Sequence, residues 1–163
     1  MPTPSPTPTA TLRTPAPTPA EPAFTDCDQI TSDAFATSLD ERGWVGWNML
    51  EREIGYNPFE SIASGGLEGQ LSCRFGAGPD IGTDNVIDLA WAPMAATDRP
   101  AAEQVLLDRG WERVDVNGVE YVSVRATPGT TDAEWVNSFL FTESDVRWAQ
   151  YQDEHDLIRS TAG

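Results

Sequence analysis

A single histidine, two cysteines and ten basic residues, all of them arginine, set the chemistry open to this 163-residue chain. Without lysine there is no Schiff base, no pyridoxal attachment and no Walker-A grip on phosphate. A histidine-dependent triad has only His155 to draw on, and zinc sites rich in Cys or His lack ligands. His155 sits among Asp153, Glu154 and Asp156, a run that reads as a solvated helix face where the imidazole has reason to hold its proton. Asp and Glu number 26, yet no spacing directs two of them toward each other as a glycosidase requires. Residues 76–85 (GAGPDIGTDN) offer Asp80, Asp84 and carbonyls without the alternating ligands and closing Glu of an EF-hand. A solvated hairpin loop is expected there, and no metal, cofactor or catalytic group is assigned.

Cys27 and Cys73 are too far apart for a CxxC redox or metal motif. Two readings remain: buried thiols in a reducing compartment, or one structural disulfide in an oxidising one. The N-terminal composition favours the disulfide. Residues 1–23 hold 8 of the 13 prolines and 6 threonines, with no glycine or aromatic residue. Proline removes donors and extends its predecessor, so this stretch reads as a disordered polyproline-II spacer ahead of one domain at 24–163.

Binding chemistry is best sought among aromatic residues. Residues 46–66 are the least regular part of the domain and carry Trp47, Tyr56 and Phe59. A long loop of this kind suits an aromatic lip over a groove for a lipid, glycan or peptide. The competing reading has Tyr56 and Phe59 simply anchoring the loop to the core.

The net charge of −16 argues against nucleic acid, which is held by clustered Lys and Arg, and against adsorption to an anionic membrane. Attachment to a membrane is expected only through a lipid anchor outside this chain, since no apolar run has transmembrane length and no lipobox occurs.

The elements that must position these residues show an internal echo. Leu39-Asp40-Glu41-Arg42-Gly43-Trp44 resembles Leu106-Leu107-Asp108-Arg109-Gly110-Trp111, and Asp88-Leu89-Ala90-Trp91-Ala92 resembles Asp145-Val146-Arg147-Trp148-Ala149. Residues 32–42 and 100–109 read as helices stopped by Gly43 and Gly110, with Trp44 and Trp111 folding back as core hinges at the start of strands. Asp98 and either Thr31 or Ser32 are the expected N-caps. Strands are expected near 67–75, 85–94, 111–116, 119–125, 135–142 and 145–150, with Asn117-Gly118 making a tight hairpin. Residues 153–160 read as a third helix with Leu157 and Ile158 inward. The fold class is α+β: a single antiparallel sheet of six or seven strands with two or three helices on one face, built on a duplicated α-β unit.

On the spacer, Asp26-Cys27, Leu71-Ser72-Cys73-Arg74-Phe75 and the Phe141…Val146-Arg147-Trp148 hairpin, the chain resembles secreted, cell-envelope lipoproteins of unknown function common in high-GC actinobacteria. Some of these resemble the extracellular sensor domains of membrane-bound Ser/Thr kinases, whose usual second disulfide is missing here. The resemblance implies an extracellular, envelope-associated domain, a Cys27–Cys73 pairing and a cleft for an unidentified small ligand or envelope component; it brings no catalytic residues. A non-enzymatic binding or sensor module is therefore expected. A structural protein acting through a protein partner would instead show an apolar patch or a dimer, and a hydrolase would show two carboxylates facing across a cleft.

Overall fold

A computed structural model describes residues 23–52 and 56–161. The expected spacer, apart from Ala23, lies outside the described residues. Helix α1 (Asp33–Arg42) is followed by strands β1 (Val45–Asn48), β2 (Leu71–Gly76) and β3 (Ile87–Pro93); helix α2 (Arg99–Asp108) is followed by β4 (Glu112–Val116), β5 (Val119–Arg125), β6 (Trp135–Phe141) and β7 (Asp145–Ala149). The strands form one seven-stranded sheet in the order β1-β2-β3-β7-β6-β5-β4, and every pairing is antiparallel. None of the described helices is long and apolar enough to cross a membrane.

Local chemistry explains both helix ends. Ser32 caps α1, its hydroxyl accepting from the Phe35 N–H at 3.4 Å. At the far end the Gly43 N–H donates to Asp40 and the Trp44 N–H to Leu39 (3.1 and 2.9 Å). After α2 the Gly110 N–H donates to Leu107 and the Trp111 N–H to Leu106 (3.0 and 3.1 Å). These are two copies of one Schellman motif, and each needs a residue at positive φ, 63° at Gly43 and 89° at Gly110. Asp98, by contrast, flanks α2 without a side-chain cap bond, so that expectation is corrected. The Asn117-Gly118 hairpin is present, with both residues at positive φ as a type I′ turn requires.

The helices do not share a face, and this corrects the sequence-based placement. Along β3, Leu89 and Trp91 join Phe35 and Leu39 of α1, together with Leu71, Cys73 and Phe75 of β2. Ala90 and Ala92 join Ala102 and Leu106 of α2, with Val122, Phe139, Phe141, Val146 and Trp148. Side chains alternate across a strand, so α1 covers one face of the β1–β3 half and α2 the other face of the β4–β6 half. Two short 3-10 helices complete the cover. Pro58–Ser61 buries Phe59 on the α2 face, while Gln152–Leu157 closes the α1 face over β5 and β6.

Half a turn about an axis along β7 exchanges β1 with β4, β2 with β5 and β3 with β6. It keeps every strand direction, swaps the faces and carries α1 onto α2. The arrangement that repeats is helix plus three strands, with β7 at the centre. The first echo, ending in Trp44 and Trp111, falls at equivalent positions. The second does not: Asp88–Ala92 and Asp145–Ala149 lie side by side in β3 and β7. Trp91 stands opposite Arg147 and Trp148 opposite Ala90, so the two indoles point to opposite faces.

Candidate binding groove

The first edge of the sheet is built around a cross-link. Cys27 is disulfide-bonded to Cys73 on β2. Closing a loop of this length restricts the unfolded chain by about 4 kcal/mol. The bridge holds the turn at residues 25–28 beside β1. Within that turn the Thr25 N–H donates to Gln29 Oε1 (2.7 Å), the Gln29 N–H to Asp26 Oδ1 (3.1 Å) and the Thr31 hydroxyl to the Asp28 carbonyl (2.7 Å). From the C-terminal end, the Arg159 N–H donates to the Ile30 carbonyl at 2.7 Å and pins the entry to α1. Gly46 of β1 is compelled by packing: a Cβ there would lie 2.7 Å from the Phe75 ring and 3.3 Å from Asp28 Oδ1.

Two open depressions follow β1 on the α1 side. One of about 280 Å³ lies between the 25–28 turn, residues 46–48 and Glu51. The other, about 370 Å³, lies between Thr31, α1 and residues 44–46. They share Asp28 and Gly46 and so adjoin each other along β1, and the two together are called the groove below. Four carboxylates border it, Asp26, Asp28, Asp40 and Glu51, and none makes an ion pair among the described residues. Neighbouring arginines are engaged elsewhere: Arg42 lies over the Trp44 ring at 5.1 Å, Arg52 bonds Asp80 at 3.2 Å, and Arg159 donates to the Thr31 carbonyl at 3.2 Å and pairs with Asp33 at 2.8 Å. The groove can offer backbone hydrogen bonds, apolar contact and negative charge. It carries no nucleophile beside a base.

The three aromatic residues singled out from the sequence are not brought together. Trp47 borders the first depression through β1 and occupies one cross-strand row with Arg74 and Asp88, which are joined by two 2.7 Å bonds. Tyr56 is 46% exposed and leans over Trp148 with ring centres 5.5 Å apart; its carbonyl accepts from Ser72 at 2.9 Å. Phe59 is fully buried against Phe139, and so anchors its loop to the core. The groove's carboxylates were not singled out, because their sequence positions, spread from 26 to 51, give no pattern until the disulfide and α1 gather them.

His155 differs most from expectation. It is 3% exposed, and its Nε2 lies 3.1 Å from both the carbonyl and the hydroxyl of Ser138. At three residues per turn, Gln152, His155 and Ile158 share the inner side of the final 3-10 helix, which turns Asp153 and Asp156 outward. Ile158 is buried and Leu157 half-buried against the same core, as expected, although the turn is 3-10 rather than α-helical. Burial, reinforced by the nearby Arg147 charge, pushes the imidazole pKa down to about 3, although the Ser138 backbone bond opposes this. Ser138 and His155 have the spacing of a nucleophile and its base, but Ser138 is wholly buried and His155 Nδ1 has no partner. The pair therefore supports the fold.

Beside it, Asp145 and Arg147 form a buried ion pair at 3.0 Å, with Thr142 and Thr161 also donating to the carboxylate. Burial would raise the Asp145 pKa, but the Arg147 and threonine hydrogen bonds outweigh it and hold the carboxylate below its usual range. Among the described residues no group of three or more His, Cys, Asp or Glu is arranged to hold a metal ion.

Comparison with protein-family models, with curated proteins and with solved structures finds no match to this chain.

Proposed function

We propose that this is a non-enzymatic binding module displayed at the cell envelope, in an oxidising compartment, and that the groove along β1 receives its ligand. The observation that carries this reading is the groove itself: two adjoining, open, acid-bordered depressions, the first walled by the turn that the Cys27–Cys73 bridge holds. A disulfide is compatible with a location outside the reducing cytosol, and strong negative charge suits a solvated domain. The resemblance to envelope lipoproteins and kinase sensor domains points the same way.

The test is a thermal-shift panel of envelope lipids, glycans and short peptides against the full chain and a Thr25→Trp variant, whose indole fills the first depression. A ligand at a hundred times its Kd adds about 2.7 kcal/mol, a rise of roughly 8 °C for a domain of this size. That rise should vanish in the variant. No shift with any class, or a shift equal in both proteins, would remove the groove from consideration.

A further inference from the structure

We propose that the free edge of β1 is a strand-addition site for an extended polypeptide segment bearing arginine or lysine. This rests on the binding-module reading and names its ligand class. Antiparallel pairing leaves alternate residues of an edge strand with N–H and C=O directed away from the sheet. On β1 that row meets no other strand among the described residues.

Proteins blunt such edges with charges, proline, a bulge, a covering loop or a very short strand, and of these, among the described residues, β1 has only its four-residue length. Val45-Gly46-Trp47-Asn48 has no charge and no proline, its register with β2 is unbroken, and Val45 is 48% exposed. The symmetry-related edge, β4, is blunted. Its Arg113 bonds Glu103 of α2 at 2.9 Å and lies 3.7 Å from Glu120, while Arg99 reaches Glu103 as well. The bare edge is thus particular to β1.

The groove fits an added strand. Alternate residues of a strand point to one face about 7 Å apart. Two depressions meeting at Gly46 can take two successive side chains of this kind. Asp26, Asp28 and Glu51 border one depression, and Asp28 and Asp40 the other, so a cationic side chain meets carboxylate in either. The same charges oppose a second copy of this chain, because pairing two β1 edges would bring two sets of these carboxylates together.

The experiment titrates a capped hexapeptide alternating arginine and valine into the full-length, 15N-labelled protein. Its comparisons are the glutamate–valine peptide, an arginine–valine peptide N-methylated at alternate amides, and a neutral chito-oligosaccharide. The expected result is saturable movement of the Val45–Asn48 amides by the arginine peptide alone. Affinity should fall about tenfold in Asp28→Asn/Asp40→Asn/Glu51→Gln, and binding should be lost on N-methylation. Equal binding of the N-methylated peptide, equal binding by the triple variant, or shifts that avoid β1 would overturn the proposal. So would β1 shifts that track protein concentration without peptide, which would make a second copy the occupant. If the saccharide moves groove amides and the peptide does not, the binding-module reading stands and the strand-addition inference falls; if no probe moves them, both fall.

Discussion

The two ends of the sheet start from the same unit and finish differently. In each, a ten-residue helix closes in a Schellman turn, a tryptophan follows, and an edge strand begins. At β4 the helix is tied down onto the edge, with Glu103 of α2 held between Arg99 and Arg113. At β1 the helix stands beside an open groove, and a disulfide to the preceding turn supplies the restraint. One end of the sheet is thus closed by ion pairs and the other left accessible, with the cross-link holding its wall in place.

The largest expected effect breaks the open end. Replacing both cysteines by alanine should cost about 4 kcal/mol, roughly 12 °C in Tm for a domain near this size. Hydrogen exchange should rise first at residues 25–31 and β1, while β4 stays protected. Equal loosening at both edges would show that the bridge does not act locally.

The next prediction concerns pH. The folded His155 pKa of about 3 lies below the unfolded value, so the unfolded state takes up the proton first. This contribution is complete above about pH 6.5 and is lost progressively as pH falls toward the folded value. Between pH 6.5 and 5, above most carboxylate titrations, denaturant melts should lose about 1.6 kcal/mol. His155→Gln should flatten that slope; an unchanged slope would assign it elsewhere.

At the closed end, burial favours a neutral Glu103, but the hydrogen bonds from Arg99 and Arg113 outweigh it and lower the pKa. Both arginines are partly exposed, so Glu103→Gln should cost only about 1 kcal/mol. Its signature is selective: β4 amides exchange faster and β1 amides do not change.

The smallest effects sharpen the symmetry. Gly43→Ala and Gly110→Ala should each cost about 1 kcal/mol, measured by denaturant melts, because both glycines have positive φ and open space around them. Costs differing by more than twofold would mean that the two turns are not equivalent.

Much of this architecture was legible in local chemistry. Gly-Trp after each helix and Asn-Gly between strands act through backbone geometry a few residues wide, so these features read directly. The side of the sheet on which each helix lies depends on strand order, which local pattern does not encode. The same limit explains the second echo: Asp88–Ala92 and Asp145–Ala149 are alike because both are central, largely buried strands. His155 misled because its three acidic neighbours suggested solvent, whereas the 3-10 period turns it inward. Of the aromatic residues proposed for a site, Trp47 borders the groove while Phe59 serves the core. The carboxylates meet there only through the disulfide and the fold of α1 onto β1.

The difference between the two edges is tested most directly by hydrogen exchange at β1 and β4, with and without the arginine–valine peptide at saturation. The result expected is protection of Val45–Asn48 and of residues 25–28, with Glu112–Val116 unchanged. Protection of β4 instead, or equal protection at both edges, would contradict the assignment of β1 as the accessible edge.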